Sequence, residues 1–313
     1  MWRFIGRRLL VSALLVFVVS FLTFLLQAVT PGDTARMILG YNYTPEAYHE
    51  LRARLGLDQP VLVQYVHWLG NALHGDLGTS PISGVSVASE ILKRLPVTLS
   101  LVVLATAVTA LVGVGLGVLG AVRGRGTARL VDVLSLGGYA LPNFWLALVL
   151  VTVFAVTIPL LPATGYVPLS SGPGRWLAYL ILPVTTLVLQ GVAVFARHTR
   201  DSMRDVLSRD FVTMLRANGI PERSIVFRHA LRNAAIPTVT VAGLTFIGLF
   251  SGTVFIESVF AMPGLGGLAV QATTSHDLPT IQGVVVVFTV IVVLVNLAVD
   301  LAYGWLNPKV RVS

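Results

Sequence analysis

Six stretches of this chain stay predominantly apolar for twenty residues or more: 9–29, 97–122, 131–158, 176–196, 234–256 and 281–306. An α-helix needs about 20 mostly apolar residues to cross a bilayer. Lipid offers no partners to backbone N–H and C=O groups, so each run must close its own hydrogen bonds as a helix. Charged residues make up 12% of the chain, half the ~25% of soluble domains. The expected fold class is therefore an all-α integral membrane protein with six transmembrane helices. The run at 9–29 follows Arg3, Arg7 and Arg8, as a secretory leader would. It is too long for a leader's apolar core and no clear small-residue cleavage site follows, so it reads as a retained span.

Charge sets the orientation. With the amino terminus inside and six crossings, both termini face the cytoplasm. Sixteen of the 22 Lys and Arg then fall in inner segments and six in outer ones, the bias that the positive-inside rule requires. The net charge of +8 thus belongs to topology and to anionic lipid headgroups, not to nucleic acid. Cysteine is absent, which excludes thiol catalysis, disulfides and cysteine-bound metals within the chain.

The outer segment 30–96 is too long for a simple turn. Pro31-Gly-Asp33 marks a break, and Thr44-Pro45-Glu46 reads as the capped start of a helix that Gly56-Leu-Asp-Gln-Pro60 ends. A second amphipathic stretch over 61–73 carries Tyr65 and Trp68, and Gly75–Ser80 is a turn. The second span contains Gly113, Gly115, Gly117 and Gly120, and small residues at four-residue spacing let helices approach closely in lipid. Pro142 and Pro183 lie inside the third and fourth expected spans, where a proline kinks a helix and frees a carbonyl. Glu257 closes the fifth span in the pattern G-x-V-x-x-E-x-x-F-x-x-P-G-x-G, which places Pro263 in the loop beyond it. A carboxylate there needs water or a partner. These four residues are candidates for a pathway or gate, although Glu257 also fits a hydrogen-bonded carboxylate that fixes the loop at 263–267.

The longest polar interruption of the second half is 209–237, RDFVTMLRANGIPERSIVFRHALRNAAIP. Counted from Arg197 it carries eight arginines against four acids, which puts it on the cytoplasmic face. Gly219-Ile-Pro221 divides it into two expected short helices. The phrases Leu215-Arg-Ala-Asn-Gly-Ile-Pro221, Arg228-His-Ala-Leu-Arg-Asn233 and Ile236-Pro237 resemble the cytoplasmic coupling loop, or EAA loop, of ABC importer permeases. They are most similar to the oligopeptide/dipeptide/nickel subfamily, in its first, B-type permease. The eponymous Glu-Ala-Ala is absent, its places being held by Thr213, Met214 and Leu215. PGD, GLDQP, QYVHWL and GDLGTS in 30–96 extend the resemblance, as does Asn307-Pro-Lys309.

The resemblance implies a type I permease fold with a large external segment between helices 1 and 2. It divides the chain into a cytoplasmic start and first span (1–29), the external segment (30–96), a five-helix core with its coupling loop at 197–233 (97–306), and a cytoplasmic tail (307–313). It implies a multi-pass permease in the cytoplasmic membrane of a bacterium or archaeon, importing di- or oligopeptides. Nickel chelates, glutathione or oligosaccharides are the alternatives within the family. The implied partners are a second homologous permease, one or two kinds of ABC ATPase that bind ATP and Mg, an external substrate-binding protein, and membrane lipid. The residues matching the coupling motif are Arg216, Ala217, Gly219, Pro221, Glu222, Arg228, His229, Arg232 and Asn233.

No phosphate-binding loop is present, so any ATP chemistry would belong to partner chains, and no cofactor is expected here. The six histidines show no metal-ligand spacing. The chain reads as a transport subunit, not an enzyme. An ion-coupled secondary transporter would show charged residues paired at midspan and an inverted repeat, and neither is visible. A non-transporting scaffold or receptor would not need the coupling loop.

Overall fold

The computed structural model describes residues 2–29, 34–40, 43–123, 126, 129, 133, 137 and 141–306. Among these the chain is helical, with one isolated β-bridge between Thr79 and Ser86. The long elements are α1 (Trp2–Val29), α5 (Val87–Val122), α7 (Pro173–Leu207), α9 (Leu231–Val259) and α11 (Leu278–Leu306). Each contains a segment long and apolar enough to span a membrane. Between α1 and α5 lie the shorter α2 (Thr34–Leu39), α3 (Pro45–Arg54) and α4 (Val61–Leu73). Further elements are α6 (Asn143–Val151), continued by a π-helical stretch over Thr152–Thr157, a 3-10 turn over Leu169–Ser171, α8 (Asp210–Ala217), a turn over Glu222–Ser224 with a π-helical stretch over Ile225–Ala230, and α10 (Leu265–Thr274). The Pro31–Asp33 break, most of the third expected span before residue 141, and the 307–313 tail lie outside the described residues.

Two expectations need correction. The second long helix begins at Val87, ten residues before the apolar run, and carries Pro96 in its interior. Val87 and Ile91 are buried, so packing extends the helix beyond the part that hydropathy marks. Pro142 does not kink a helix. It is extended (φ −62°, ψ 134°) and immediately precedes α6. Proline suits such a start, because a helix's first N–H groups have no intrahelical partner to lose. Pro183, in contrast, is buried inside α7.

The chain divides into two compact units, Met1–Pro96 with Pro263–Leu294, and Val97–Met262 with Val295–Ser313. In the first, Tyr65 on α4 meets the rings of Phe17, Phe21 and Phe24 on α1, at centroid distances of 5.9, 5.2 and 5.6 Å. Its hydroxyl is hydrogen-bonded to Ser20 at 2.9 Å. Ser20 also accepts, through its carbonyl, a bond from Gln282 on α11. The Ser80 hydroxyl donates to Asp277, whose other oxygen accepts from the Thr280 N–H in the first turn of α11. A small core of Val87, Ile91, Leu265, Leu268 and Val284 completes this unit.

In the second unit α7 packs against α9 and α6. Two glycines of α5 let that helix approach α7 closely. A Cβ on Gly113 would stand 2.8 Å from that of Phe195, and one on Gly117 would stand 2.5 Å from the Thr199 Cβ and 2.8 Å from the Ala196 carbonyl. Gly115, on another face, meets nothing within 4 Å.

Helix ends follow one device. At α3, α4, α8, α9 and α10 the residue after the cap has positive φ: Gly56, Gly75, Gly219, Ala261 and His276. Each time its N–H, and that of the next residue, turn back to carbonyls of the last turn. This is the Schellman arrangement, and it satisfies groups that a helix end leaves open. Gly117→Ala is expected to destabilise the detergent-solubilised protein by about 1–3 kcal/mol through overpacking. Gly115→Ala should be neutral or slightly stabilising, since alanine favours helix. Equal thermal midpoints for the two variants would contradict the close approach of α5 and α7.

Candidate functional site

The segment between α7 and α9 is built on a buried base. Met203 and Val206 near the end of α7, Val226, Ala230 and Ala234 leading into α9, and Val118 of α5 form one core cluster. Phe211 packs against it, and Val212 and Ile225 are also buried. Arg204 donates to the Gly120 carbonyl at 3.3 Å, and the buried Arg200 pairs with Asp201 at 3.1 Å.

From this base α8 runs out to Gly219. Asp210 in its first turn complements the helix dipole. The end is closed by Gly219 N–H donating to the Arg216 carbonyl (3.0 Å) and Ile220 N–H to that of Leu215 (3.1 Å), with Gly219 at φ +72°. Only a residue without Cβ takes this conformation readily. Ile220 and Pro221 then pass in extended form to a single turn over Glu222–Ser224. Arg216 and Glu222 span the break with two hydrogen bonds between their side chains. This hydrogen bond holds the Glu222 carboxyl below its ordinary range and raises the Arg216 guanidinium.

The second expected short helix is not separate. The turn continues through a π-helical stretch, Ile225–Ala230, directly into α9. No glycine or proline interrupts 222–236, and Ile225, Val226, Ala230 and Ala234 remain buried throughout.

The structure thus brings Arg216, Ala217, Gly219, Pro221 and Glu222 to one exposed tip. Arg228, Arg232 and Asn233 are exposed along the return, and His229 is half-buried with its carbonyl accepting from the Asn233 amide. Met214 and Phe227 add exposed apolar surface, at 61% and 58%. Phe227 was not singled out by the motif, and only its exposure reveals it.

Glu257 lies in a different environment. Its side chain is 1% exposed, and Thr98 Oγ1 on α5 donates to Oε1 at 2.6 Å. The Glu257 carbonyl accepts from Met262 N–H, and the next turn is held by Gly165 N–H donating to the Phe260 carbonyl at 2.7 Å. Pro263 is exposed beyond it. Thr98 is 159 residues away in sequence, and no motif could have named it.

A family model described as the inner membrane component of binding-protein-dependent transport systems matches residues 113–312, and one for the amino-terminal part of such components matches 1–102. The chain belongs to this family. It is 42% identical over 295 residues to a putative peptide transport system permease of Brucella abortus (strain 2308), covering 94% of each chain. It is 39% identical over 312 residues to the glutathione transport system permease GsiC of Escherichia coli (strain K12), covering 99% of each. The MetNI methionine ABC transporter in an inward-facing conformation shares the fold, with a TM-score of 0.55 at 18% identity, over 69% of this chain and 96% of that one. The chain is thus a multi-pass inner-membrane permease of an ABC importer, a transport component and not an enzyme.

Two predictions test this geometry. Because the Glu222 carboxyl is depressed in the folded loop, the contribution of its ion pair is present at neutral pH. It is lost as pH falls through and below the ordinary carboxylate range of about 4. Amide exchange across 216–222 should therefore accelerate on acidification beyond its intrinsic rate, and Glu222→Gln should abolish that extra dependence. Thr98→Val is expected to lower the thermal stability by about 1–3 kcal/mol by removing a donor from the buried Glu257. An unchanged midpoint would show that this bond contributes nothing.

Proposed function

We propose that 197–233 is the coupling element of the importer, with the tip around Gly219 docking into a cleft on a separate ATPase subunit. The observation that carries this reading is the contrast between tip and base. The tip is exposed, closed by the Gly219 turn and the Arg216–Glu222 pair, while the base is packed on Met203, Val226 and Ala234. A push at such a tip passes into α7 and α9, because the base cannot yield separately. Arg228, His229, Arg232 and Asn233 supply the polar flank of the contact, and Met214 and Phe227 its apolar part.

ATP-driven closure of the ATPases would draw two such elements together, one from this chain and one from a second permease. The pair would then alternate between inward- and outward-facing arrangements. An external substrate-binding protein would deliver the cargo, and both termini would lie in the cytoplasm. ATP and Mg would be held by the ATPases alone. The names of the relatives favour di- or oligopeptides, with glutathione as a peptide-like member of the range. Pro183, Glu257 and Pro263 stay candidate pathway or gate positions, as does Pro142 through the helix start it makes.

Gly219→Asp tests the coupling role. It puts a side chain at φ +72° and a carboxylate three residues from Glu222, with nothing nearby to clash against. The variant should insert normally, lose co-purification of the ATPase, and lose ATP-dependent uptake of a labelled dipeptide by about tenfold or more, the equivalent of at least ~1.4 kcal/mol. Uptake at the wild-type rate would sink the coupling assignment. Intact ATPase binding without dipeptide uptake in the wild type would instead sink the substrate assignment.

A further inference from the structure

The first compact unit contains a cavity of about 540 Å³ that the coupling reading leaves unused. This is within the range of small-molecule sites. Its wall is largely apolar, with Phe24 from α1, Leu57 after α3, Trp68 from α4 and Leu278 opening α11. Two polar groups in that wall lack hydrogen-bond partners, the Trp68 indole N–H and the Gln282 carbonyl oxygen. Gln282 is 1% exposed, and its amide nitrogen is committed to the Ser20 carbonyl at 2.8 Å. The amide is therefore held in one orientation, with its oxygen unused. Burying the Trp68 donor without a partner is unfavourable, and a ligand oxygen brought against it would relieve that.

The charged side chain that lines the same cavity is basic. Arg54 is exposed there beside the exposed His67 ring, while Asp58 is committed to Arg52 at 2.9 Å. On α4, Leu62 and Val66 stand 62% and 63% exposed, a surface suited to hydrocarbon.

We propose that this cavity binds an anionic acyl lipid. One acyl chain lies against Phe24, Leu57 and Leu278, and the anionic head meets Arg54 and His67. The Trp68 N–H turns to donate to an ester or acid oxygen. An anionic phospholipid and a free fatty acid both satisfy these contacts.

The test uses the complex purified with its co-expressed partner subunits and reconstituted in phosphatidylcholine bilayers. Tail-brominated phosphatidylglycerol, phosphatidylcholine or fatty acid is added at equal mole fraction. The Trp68 contribution is the quenching that Trp68→Phe removes. Phosphatidylglycerol should quench it more strongly than phosphatidylcholine. Arg54→Gln should reduce that preference about fivefold, as expected for one basic residue at a charged membrane surface. Ala53→Phe, which fills the cavity from an exposed position on α3, should abolish it without disturbing a buried residue. Preferential quenching by the fatty acid alone would support the site and assign its source to free acid. Equal quenching by phosphatidylglycerol and phosphatidylcholine, or a preference that survives both Arg54→Gln and Ala53→Phe, would overturn the proposal.

Discussion

A peptide group that loses water must find its hydrogen bond within the chain, and this obligation governs where every helix of this permease can stop. Inside a helix the bond is automatic, but at an end the last carbonyls are open. Five described helices solve this in the same way, with a left-handed residue that turns the following N–H groups back. Three use glycine, as the stereochemistry favours. The other two, Ala261 and His276, are not glycine, and both lie in the 257–280 region, where buried side chains hold the backbone from several directions. Glu257 is bonded to Thr98 and Asp277 to Ser80, so tertiary contacts offset the local strain.

The same closure shapes the projecting segment between α7 and α9. Without the Gly219 turn, α8 would end in open carbonyls and the chain would leave it in no fixed direction. With that turn, and with Arg216 reaching Glu222 across the break, the chain leaves the tip in a defined direction. The buried base around Met203, Val226 and Ala234 anchors the segment to α7 and α9. The π-helical stretch at Ile225–Ala230 keeps the return of this projection continuous with α9.

Much of this was legible in the residues. Long apolar runs, Thr44 as a cap, and the glycines at 56, 75 and 219 report local physics, and local physics is written along the chain. Thr44 does accept from the Ala47 N–H, and Gly219 does end its helix. The motif residues Arg216 to Glu222 also fall together at an exposed tip. Hydropathy misplaced Pro142, expected inside a helix and found at a helix start, because a proline is compatible with both and its neighbours decide. The motif was silent on Thr98, Ser80 and Phe227, whose roles depend on residues 159 or 197 positions away, or on which side of a helix remains uncovered.

The sequence by itself determined that this chain lives in a membrane, that it is helical there, and where the polar segment 209–237 interrupts the spans. Those properties follow from hydropathy, charge and backbone stereochemistry summed over neighbours in the chain. Only the tertiary structure decided that Gly113 and Gly117 are the contact face of α5, and that α5 begins at Val87. It also decided that Glu257 is bonded to Thr98 instead of facing water, and that Trp68 and Gln282 line one cavity. Each of these depends on which distant segment fills the space beside a residue, and side-chain volume and burial settle that question where periodicity cannot.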